Sequence, residues 1–282
     1  MPDQAKSTNA ALQAQLDRLD ALGPGRDVLG LARIRELLAR LGDPQEKLPP
    51  VFHVAGTNGK GSTVAYLRAA LEAAGYSIHA YTSPHLVRFN ERFRIAGRLI
   101  DDEALAALLS EVLDASGGTG ATFFEASTAA MFLAASRTPA DAMLIEVGLG
   151  GRLDATNVVT RPLVTGIASI GIDHEAFLLS PEDGVPTDPV ARIGWEKAGI
   201  AKPGVPLVTM RHPPAAAEAI AAHAAEIGAP QVAMDRDWFI STDGKRLHYS
   251  DAKGALDLPL PRLPGGHQAL NAGLALAMLR HQ

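Results

Sequence analysis

The sequence predicts an α/β fold, in which a mostly parallel, P-loop-type sheet carries helices on both faces. Short apolar runs of strand length, such as Val51–Ala55 and Ala142–Val147, alternate with longer segments of helical spacing. Helices are the usual connections between parallel strands. The first apolar run is followed at once by a glycine-rich loop and a helix-forming segment, which is the setting of phosphate-binding sheets. A small β-hairpin region is predicted near the C-terminus.

The N-terminal residues 1–45 are predicted to form helices. Leu12, Leu16 and Leu19 recur at helical spacing, and a second set of apolar residues does so between Leu31 and Leu41. The Gly23-Pro24-Gly25 segment separates the two helices, because glycine and proline interrupt helical structure.

The central part of the chain alternates between strands and helices. In order, the pattern predicts a helix at 62–74, a strand at 78–81, helices at 102–113 and 125–136, strands at 142–147, 163–170 and 206–210, and a helix at 214–226. The hairpin region covers about 236–260, where Asp243-Gly244 is a turn signal between two β-prone segments. An Ala/Leu-rich helix is predicted at 267–280.

Composition restricts the class of protein. The chain has 282 residues, of which 47% are hydrophobic and 20% are charged, and its formal net charge is −5. These values fit a globular protein and give no indication of a nucleic-acid-binding or membrane-binding surface. The absence of cysteine excludes disulfides and a Cys-ligated zinc site. The N-terminus lacks the apolar core of a signal peptide, so we expect a cytoplasmic protein.

The strongest chemical signal is the loop Gly56-Thr57-Asn58-Gly59-Lys60-Gly61-Ser62. Glycines allow successive backbone N–H groups to face phosphate oxygens, and the start of the following helix adds its positive dipole end. Lys60 would reach the β- and γ-phosphates of a nucleotide. The loop is not a strict Walker A motif, because Val54 stands at the first glycine position and Gly61 follows the lysine. The alternative is a glycine turn with a surface lysine.

Further polar residues lie at predicted strand ends. Mg²⁺ prefers hard oxygen ligands, which Ser83 and Glu146 can supply beside the phosphate loop. Each has a structural alternative, since Glu146 alone would be a solvated carboxylate and Ser83-Pro84 alone a turn. His53 and His79 lie within predicted strands and are interpreted as structural.

Together, several segments resemble the folate branch of the Mur ligase superfamily, folylpolyglutamate synthase/dihydrofolate synthase. They are GTNGKGS at 56–62, TSPHL at 82–86 with RFNER at 88–92, FFE at 123–125, EVGLGGRLDATN at 146–157, DH at 173–174 and EKAGI at 196–200. The resemblance covers residues 25–282 and implies the fold of the Mur ligase central domain. It also implies an ATP-dependent ligase that joins L-glutamate to dihydropteroate or to a folate.

The resemblance implies a role for each matching residue. The loop Gly56–Ser62 binds ATP, with Lys60 catalytic, and Asn271 approaches the ATP base. The first magnesium is held by Ser83 and Glu146, and the second by His174 and by Lys197, which carries a CO₂-derived carbamate. The pterin or folate contacts are implied for Pro84, His85, Arg88, Phe123, Phe124, Glu125 and Asp154.

These roles have alternatives in the residues themselves. Phe123 and Phe124 would by default belong to the core, and Lys197 to a helix surface. His174 could act as a general base rather than a metal ligand, because its unperturbed pKa lies near neutrality. The segment that contains Asn271 could be a simple helix N-terminus.

The implied mechanism proceeds through an acyl phosphate. The substrate carboxylate attacks the γ-phosphate of ATP, and the amine of glutamate then displaces phosphate. The expected partners are therefore small molecules (ATP, dihydropteroate or folate, and L-glutamate), with no nucleic acid or membrane. A monomer is usual in the resembled family.

The sequence departs from the family pattern in two places. Residues 178–186 form a longer, Pro/Gly-rich connection before EKAGI, which could move Lys197 relative to His174. The family's C-terminal, glutamate-binding domain is expected to begin about where this chain ends, so residues 1–282 are predicted to form the ATP-binding domain alone. Full ligase activity would then be doubtful. The alternatives are a catalytically silent module that binds ATP and pterin, or a Mur ligase acting on a UDP-sugar peptide.

Overall fold

The computed structural model describes residues 5–23, 29–172, 175–180 and 182–282. Its α-helices are α1 (Ala10–Asp20), α2 (Ala32–Arg40), α3 (Lys60–Ala73), α4 (Asp102–Ala115), α5 (Phe123–Arg137), α6 (Glu175–Leu178), α7 (Pro189–Ala198), α8 (Pro214–Ile227) and α9 (His267–His281). The strands are β1 (Val51–Ala55), β2 (Ile78–Tyr81), β3 (Phe93–Ile95), β4 (Arg98–Leu99), β5 (Ala142–Glu146), β6 (Val164–Ile167), β7 (Leu207–Thr209), β8 (Gln231–Ala233), β9 (Trp238–Thr242), β10 (Arg246–Asp251) and β11 (Gly254–Pro259).

The chain divides into two compact units. The first contains Met1–Val51, Leu71–Gly148 and Leu153–Thr160, and the second contains Phe52–Ala70, Leu149–Arg152 and Arg161–Gln282. The chain therefore passes between the units several times, and neither unit is a single continuous segment.

The first unit contains four strands in the order β4-β3-β2-β5. Strands β2 and β5 are parallel, with Ile78 opposite Ala142, whereas β2 and β3 are antiparallel and so are β3 and β4. Every residue of β2 and β5 is buried. Their continuous burial explains why apolar residues predominate on both faces of each strand, although β2 contains His79 and β5 ends in Glu146.

Helices α1, α2, α4 and α5 build the core of the first unit. The predicted leucines Leu12, Leu16 and Leu19 are all fully buried, as expected for one face of a helix. Most of the side chains of α5 are buried, which explains why its sequence is apolar on nearly all sides. Its first turn is fixed by a capping box between Thr122 and Glu125.

The second unit contains four strands in the order β1-β6-β7-β8, and all of these pairs are parallel. Helices α7 and α8 pack closely, because Gly194 allows the backbone of Ala216 to approach it. An added Cβ at Gly194 would lie 2.9 Å from the Ala216 Cα. A small residue at that position is therefore required by the packing.

The predicted hairpin is present and has a third strand, in the antiparallel order β11-β10-β9. The turn depends on Asp243, whose carboxylate accepts the backbone N–H groups of Lys245 and Arg246 at 2.8 and 2.7 Å. Trp238 and Tyr249 stack with ring centroids 6.1 Å apart. Gly273 of α9 lies against Trp238, so the helix packs on the small sheet.

The observed elements confirm the predicted α/β class. Sequence periodicity did not identify β3, β4, β8 or β11, which are short or lie at the edge of their sheet. None of the helices in the described ranges has the length and apolarity needed to cross a membrane.

Candidate active site

The phosphate loop connects β1 to α3 in the second unit. Its backbone is tied to the segment after β6, because the N–H groups of Thr57 and Asn58 both donate to the Ser169 carbonyl, at 2.8 and 3.3 Å. The Thr57 hydroxyl donates to the Gly171 carbonyl at 2.9 Å. The strand–loop–helix setting that the motif requires is therefore present.

Gly59 adopts a left-handed backbone conformation, with φ +86°. This conformation favours glycine, because a side chain there would be strained. Lys60 begins α3, and its ammonium donates to the Gly56 and Thr57 carbonyls at 3.0 and 3.2 Å. The lysine is therefore folded onto its own loop, at the positively polarised start of a helix.

Helix α9 contributes two amide side chains to the same loop. Asn271 lies against Gly59, and its Nδ2 donates to Gln268 Oε1 at 3.1 Å. Gln268 Nε2 in turn donates to the Ser62 hydroxyl at 3.3 Å. Asn271 and Gln268 are both buried. The structure thus places Asn271 and Gln268 beside the loop. The approach of Asn271 to the ATP base stays a prediction.

The first unit brings together Ser83 and Glu146. The Ser83 N–H donates to Glu146 Oε2 at 3.2 Å, and the Ser83-Pro84 peptide bond is cis. Glu146 ends β5 and is buried. A hydroxyl and a carboxylate form a hard-oxygen donor set, so these two residues fit a magnesium ion. No group of three or more His, Asp or Glu side chains that could hold a metal ion occurs within the part of the chain that the structure describes.

The aromatic candidates lie at the start of α5. Phe124 lies against Gly148, so closely that a Cβ at that glycine would overlap the ring. Its centroid is 6.1 Å from that of Tyr81, and the Phe123 centroid is 5.9 Å from that of Phe89. Both phenylalanines are only partly buried and border the main core of the first unit. They therefore combine a packing role with partial exposure to solvent.

Two carboxylates of the candidate substrate site are held by hydrogen bonds. Glu125 accepts the Thr122 N–H at 2.8 Å and the Arg33 Nε–H at 3.1 Å. Asp154 accepts the backbone N–H of Thr156 at 3.0 Å and its hydroxyl at 2.5 Å. The sequence gives no signal for the Arg33 contact, because the two partners are 92 residues apart.

His85 and Arg88 lie on the loop after β2. Arg92 Nε–H donates to His85 Nδ1 at 3.1 Å, and the His85 ring packs edge-on against Phe89. The Arg88 guanidinium donates to Asp102 at 2.6 Å. Both side chains therefore have partners in the first unit.

Lys197 lies near the end of α7, in the second unit, and only 3% of it is exposed. The preceding Glu196 is held by two arginines, with Arg152 at 3.0 Å and Arg192 at 3.1 Å. The Arg152 N–H also donates to the Glu196 carbonyl at 2.8 Å. A surface lysine is therefore the wrong description of Lys197. The other predicted metal ligand, His174, lies outside the described residues, as does Asp173.

The histidines interpreted as structural are buried. His79 uses both ring nitrogens, because Nε2 lies 3.0 Å from the Thr138 carbonyl and Nδ1 accepts the Ala96 N–H at 3.1 Å. Burial lowers the pKa of His53 to about 3. Both sites agree with a role in packing.

Comparisons with known proteins give one consistent family. The chain is 39% identical over 259 residues to the dihydrofolate synthase/folylpolyglutamate synthase of Bacillus subtilis, and 39% identical over 253 residues to that of Escherichia coli. These alignments cover 88% and 89% of this chain, and 58% and 56% of the relatives. The chain thus spans less than two thirds of their length. No family model matches.

Solved structures agree with the sequence relatives. E. coli FolC in complex with DHPP and ADP superposes with a TM-score of 0.85 at 37% identity, over 98% of this chain and 63% of that one. A Yersinia pestis bifunctional folylpolyglutamate synthase/dihydrofolate synthase with AMPPNP and a Mn ion gives 0.82 at 36% identity, over 99% and 64%. Over the region that it spans, the chain belongs to the dihydrofolate synthase/folylpolyglutamate synthase family.

Proposed function

We propose that the chain takes part in the ATP-dependent ligation of L-glutamate to dihydropteroate or a folate. The observation that carries the proposal is the loop between β1 and α3, where Gly59 adopts a left-handed conformation and Lys60 begins a helix. Relatives over this same region include a structure that holds ADP and DHPP. Because the chain spans only 58% of its Bacillus relative, the activity of the whole relative is a proposal here.

The proposed reaction has two steps. A carboxylate oxygen of the pterin substrate attacks the γ-phosphorus of ATP, which forms an acyl phosphate and breaks the bond to the bridging oxygen of ADP. The amine nitrogen of glutamate then attacks the acyl carbon, and phosphate leaves as the nitrogen loses a proton. Phosphoryl transfer of this kind depends mainly on alignment and on charge neutralisation.

Within the second unit, the loop and Lys60 bind the phosphates. When ATP binds, the Lys60 ammonium replaces its hydrogen bonds to the Gly56 and Thr57 carbonyls with hydrogen bonds to phosphate oxygens. An ammonium has three N–H donors, so this change does not require the backbone to move. Gln268 and Asn271 form the neighbouring polar surface for the nucleotide base. Both amides are buried and hydrogen-bonded, so their positions are fixed. Amides at fixed positions can discriminate between ligands, which supports a role in binding the nucleotide base.

Within the first unit, Ser83 and Glu146 would hold a magnesium ion, which supplies positive charge for phosphoryl transfer when bound. Phe123 and Phe124, which are only partly buried, would contact the pterin ring, since aromatic rings stack favourably. Asp154 and Glu125 are candidates to accept hydrogen bonds from the ring nitrogens. Their existing hydrogen bonds fix both carboxylates in place.

For Lys197, we propose the carbamate that the resemblance implies, as part of a second magnesium site. The observation in favour is its burial, because a buried ammonium is costly and an uncharged amine is the form that reacts with CO₂. Protein equilibrated with ¹³C-bicarbonate should show a carbamate carbonyl resonance that is absent in Lys197→Arg. Absence of that resonance at neutral pH would contradict the modification.

Phosphate release tests the ligase proposal. Mg-ATP is incubated with the chain and dihydropteroate, with and without L-glutamate, and the variant Lys60→Ala is compared with Lys245→Ala in the hairpin turn. Release that requires both substrates and is lost only in Lys60→Ala supports the ligase. Binding of Mg-ATP and dihydropteroate without release supports the binding-module alternative. A folded chain that binds neither contradicts both.

A further inference from the structure

The sequence marks residues 178–186 as a long connection before the EKAGI segment, and the structure shows how this connection is fastened. Leu178 is buried, and its Cδ2 lies 2.8 Å from the position of a Cβ added to Gly150. Gly150 also has a left-handed backbone conformation, with φ +68°. The start of the connection is therefore packed closely on a position that favours glycine.

Glu182 fastens the same connection through its charge. Its Oε2 accepts hydrogen bonds from Arg152 Nη2 at 2.6 Å and from Arg192 Nη2 at 2.9 Å. The Glu182 side chain is 41% exposed, whereas those of Arg152 and Arg192 are 24% and 6% exposed. The connection therefore brings a surface carboxylate to two largely buried cations, in charge-assisted hydrogen bonds.

Two guanidinium groups and two carboxylates form one cluster here. Glu196 pairs with the same two cations, with Arg152 at 3.0 Å and with Arg192 at 3.1 Å. Both guanidinium groups also lie over the Trp195 ring, 4.6 and 5.3 Å from its centroid. Among these four charged side chains, the charges balance only when Glu182 is present, and buried charges are stable when they are paired.

The backbone at Arg152 lies directly against the backbone at Lys197. The Arg152 N–H donates to the Glu196 carbonyl at 2.8 Å. A Cβ added to Gly151 would lie 2.9 Å from the Lys197 carbonyl oxygen and 3.0 Å from the Lys197 Cα, and a Cβ added to Gly199 would overlap the Arg152 Cβ. Packing as close as this transmits a shift of one backbone to the other.

We propose that Glu182 is a positioning residue for Lys197. Its pairing with Arg152 and Arg192, the tether, holds residues 150–152 against the main chain of residues 196–199 and so fixes the point from which the Lys197 side chain extends. Glu182 takes no part in a chemical step. The carbamate on Lys197 that this positioning serves rests on the proposed function, whereas the tether itself does not.

Hydrogen exchange measured by NMR tests the tether without any ligand. The amides of Arg152 and Ile200 are the probes, because they donate to the Glu196 and Lys197 carbonyls at 2.8 and 3.3 Å. In Glu182→Gln, which keeps the shape of the side chain but removes its charge, we expect both amides to exchange about fivefold faster. A partly exposed ion pair contributes at most roughly that factor.

The matched control is Asp183→Asn, which removes one negative charge from an exposed side chain of the same connection. It should leave the exchange of both probe amides unchanged, because Glu182 still holds the two arginines. Equal thermal midpoints in Glu182→Gln and Asp183→Asn confirm that both variants are folded.

Carbamate formation tests the consequence for Lys197. The carbamate resonance is followed during titration with ¹³C-bicarbonate and is assigned by its loss in Lys197→Arg. Glu182→Gln should need about fivefold more bicarbonate than Asp183→Asn to reach half of the maximal intensity, because its amine is held less firmly in place. The two variants lose the same charge, so the comparison removes the general electrostatic effect. Glu182→Asp, which keeps the charge on a shorter side chain, should lie between Glu182→Gln and wild type.

Unchanged exchange of the probe amides in Glu182→Gln would overturn the tether. Faster exchange with the same bicarbonate midpoint as Asp183→Asn would overturn the positioning of Lys197. A wild-type chain without a carbamate resonance would overturn the proposed modification and the positioning together, while the exchange rates would still decide the tether. If Glu182→Gln does not fold, the exchange rates and bicarbonate midpoint of Glu182→Asp support or overturn the proposal in the same way.

Discussion

Asn271 lies so close to Gly59 that its side-chain oxygen overlaps the position of a Cβ at that glycine. The contact joins α9 to the phosphate loop, although the two residues are far apart in the sequence. Together with the left-handed φ of Gly59, it leaves room for no residue except glycine at this point of the loop.

The variant Gly59→Ala should therefore lose nucleotide binding. We expect the affinity for Mg-ATP to fall at least about tenfold, because the new methyl group displaces Asn271 and strains the loop. Calorimetric titration measures this. Gly75→Ala is the matched control, since Gly75 also has a positive φ (91°) but no atom within 4 Å of its added Cβ.

Both variants should lose about 1–2 kcal/mol of unfolding free energy as the cost of a left-handed alanine, and Gly59→Ala should lose more because its methyl group also displaces Asn271. Only Gly59→Ala should lose nucleotide affinity. Equal nucleotide binding by the two variants would contradict the link between Asn271 and the loop.

Gly148→Ala should weaken the binding of dihydropteroate. The added methyl group would overlap the ring of Phe124, which must then move from its position beside Tyr81. We expect a rise of about tenfold in the dissociation constant for dihydropteroate, with Mg-ATP binding unchanged. Fluorescence or calorimetric titration checks both values.

Gly117→Ala is the control for Gly148→Ala, because its added Cβ would make only one ordinary contact, at 3.9 Å. If Gly148→Ala binds dihydropteroate as well as Gly117→Ala does, Phe124 is not a substrate contact. The ring would then be a packing residue, as composition alone suggests.

Local sequence patterns predicted most of the fold. The buried strands β1, β2 and β5 are mostly apolar, apart from His53, His79 and Glu146, and helices α4, α5 and α8 are long. These strands and helices therefore leave a clear signal in the sequence. Strand β4 has only two residues, Arg98 and Leu99, both exposed. Because such a strand is defined by its hydrogen-bond partner rather than by its own residues, periodicity could not identify it.

The site was predictable from sequence only where a motif is local. The phosphate loop, with Gly59 and Lys60, is contained in seven residues, and its strand–loop–helix setting is visible in the sequence. The contacts of Glu125 with Arg33 and of Gln268 with Ser62 join residues 92 and 206 positions apart. Contacts of that separation depend on the fold, so no local pattern could reveal them.

The ion pairs around Glu196 should contribute strongly to stability. Its side chain is 4% exposed and that of Arg192 is 6% exposed, and the Arg152 guanidinium also stacks on Trp195 at 4.6 Å. Glu196→Ala removes the more buried of two carboxylates that pair with Arg152 and Arg192, since Glu182, at 2.6 and 2.9 Å, is 41% exposed. We expect a loss of at most about 3–5 kcal/mol in unfolding free energy. Chemical denaturation measures it.

Glu111→Ala provides the comparison, because Glu111 pairs with Arg137 in two hydrogen bonds of 2.7 Å while both side chains are about half exposed. An exposed pair should contribute only about 0–1 kcal/mol. Similar losses in the two variants would show that the Glu196 cluster is not a buried ionic network.

The stability of the protein should depend on His53 below neutral pH. Burial, with a further contribution from the positive charge of Lys202, lowers the pKa of folded His53 to about 3, whereas the unfolded chain titrates near 6.5. Above the unfolded pKa both states are neutral. As the pH falls below it, only the unfolded state binds a proton, so the free energy of unfolding decreases.

Between pH 7 and pH 5, protonation of His53 in the unfolded chain should lower the free energy of unfolding by about 2 kcal/mol. His53→Gln should therefore show a smaller decrease in unfolding free energy between pH 7 and pH 5 than wild type does. Denaturation of both proteins at the two pH values gives the difference, and the exposed His267→Gln serves as control. An identical pH dependence in His53→Gln and wild type would rule out the buried neutral histidine.

Isotope exchange within ATP tests whether this chain forms an acyl phosphate. ATP labelled with ¹⁸O in the β,γ-bridge is incubated with Mg²⁺ and dihydropteroate, without glutamate. Reversible transfer of the γ-phosphoryl group moves the label to a non-bridging position of the β-phosphate, and we expect that this needs dihydropteroate and is lost in Lys60→Ala. A folded chain that binds both ligands but leaves the label in the bridge would contradict acyl-phosphate formation.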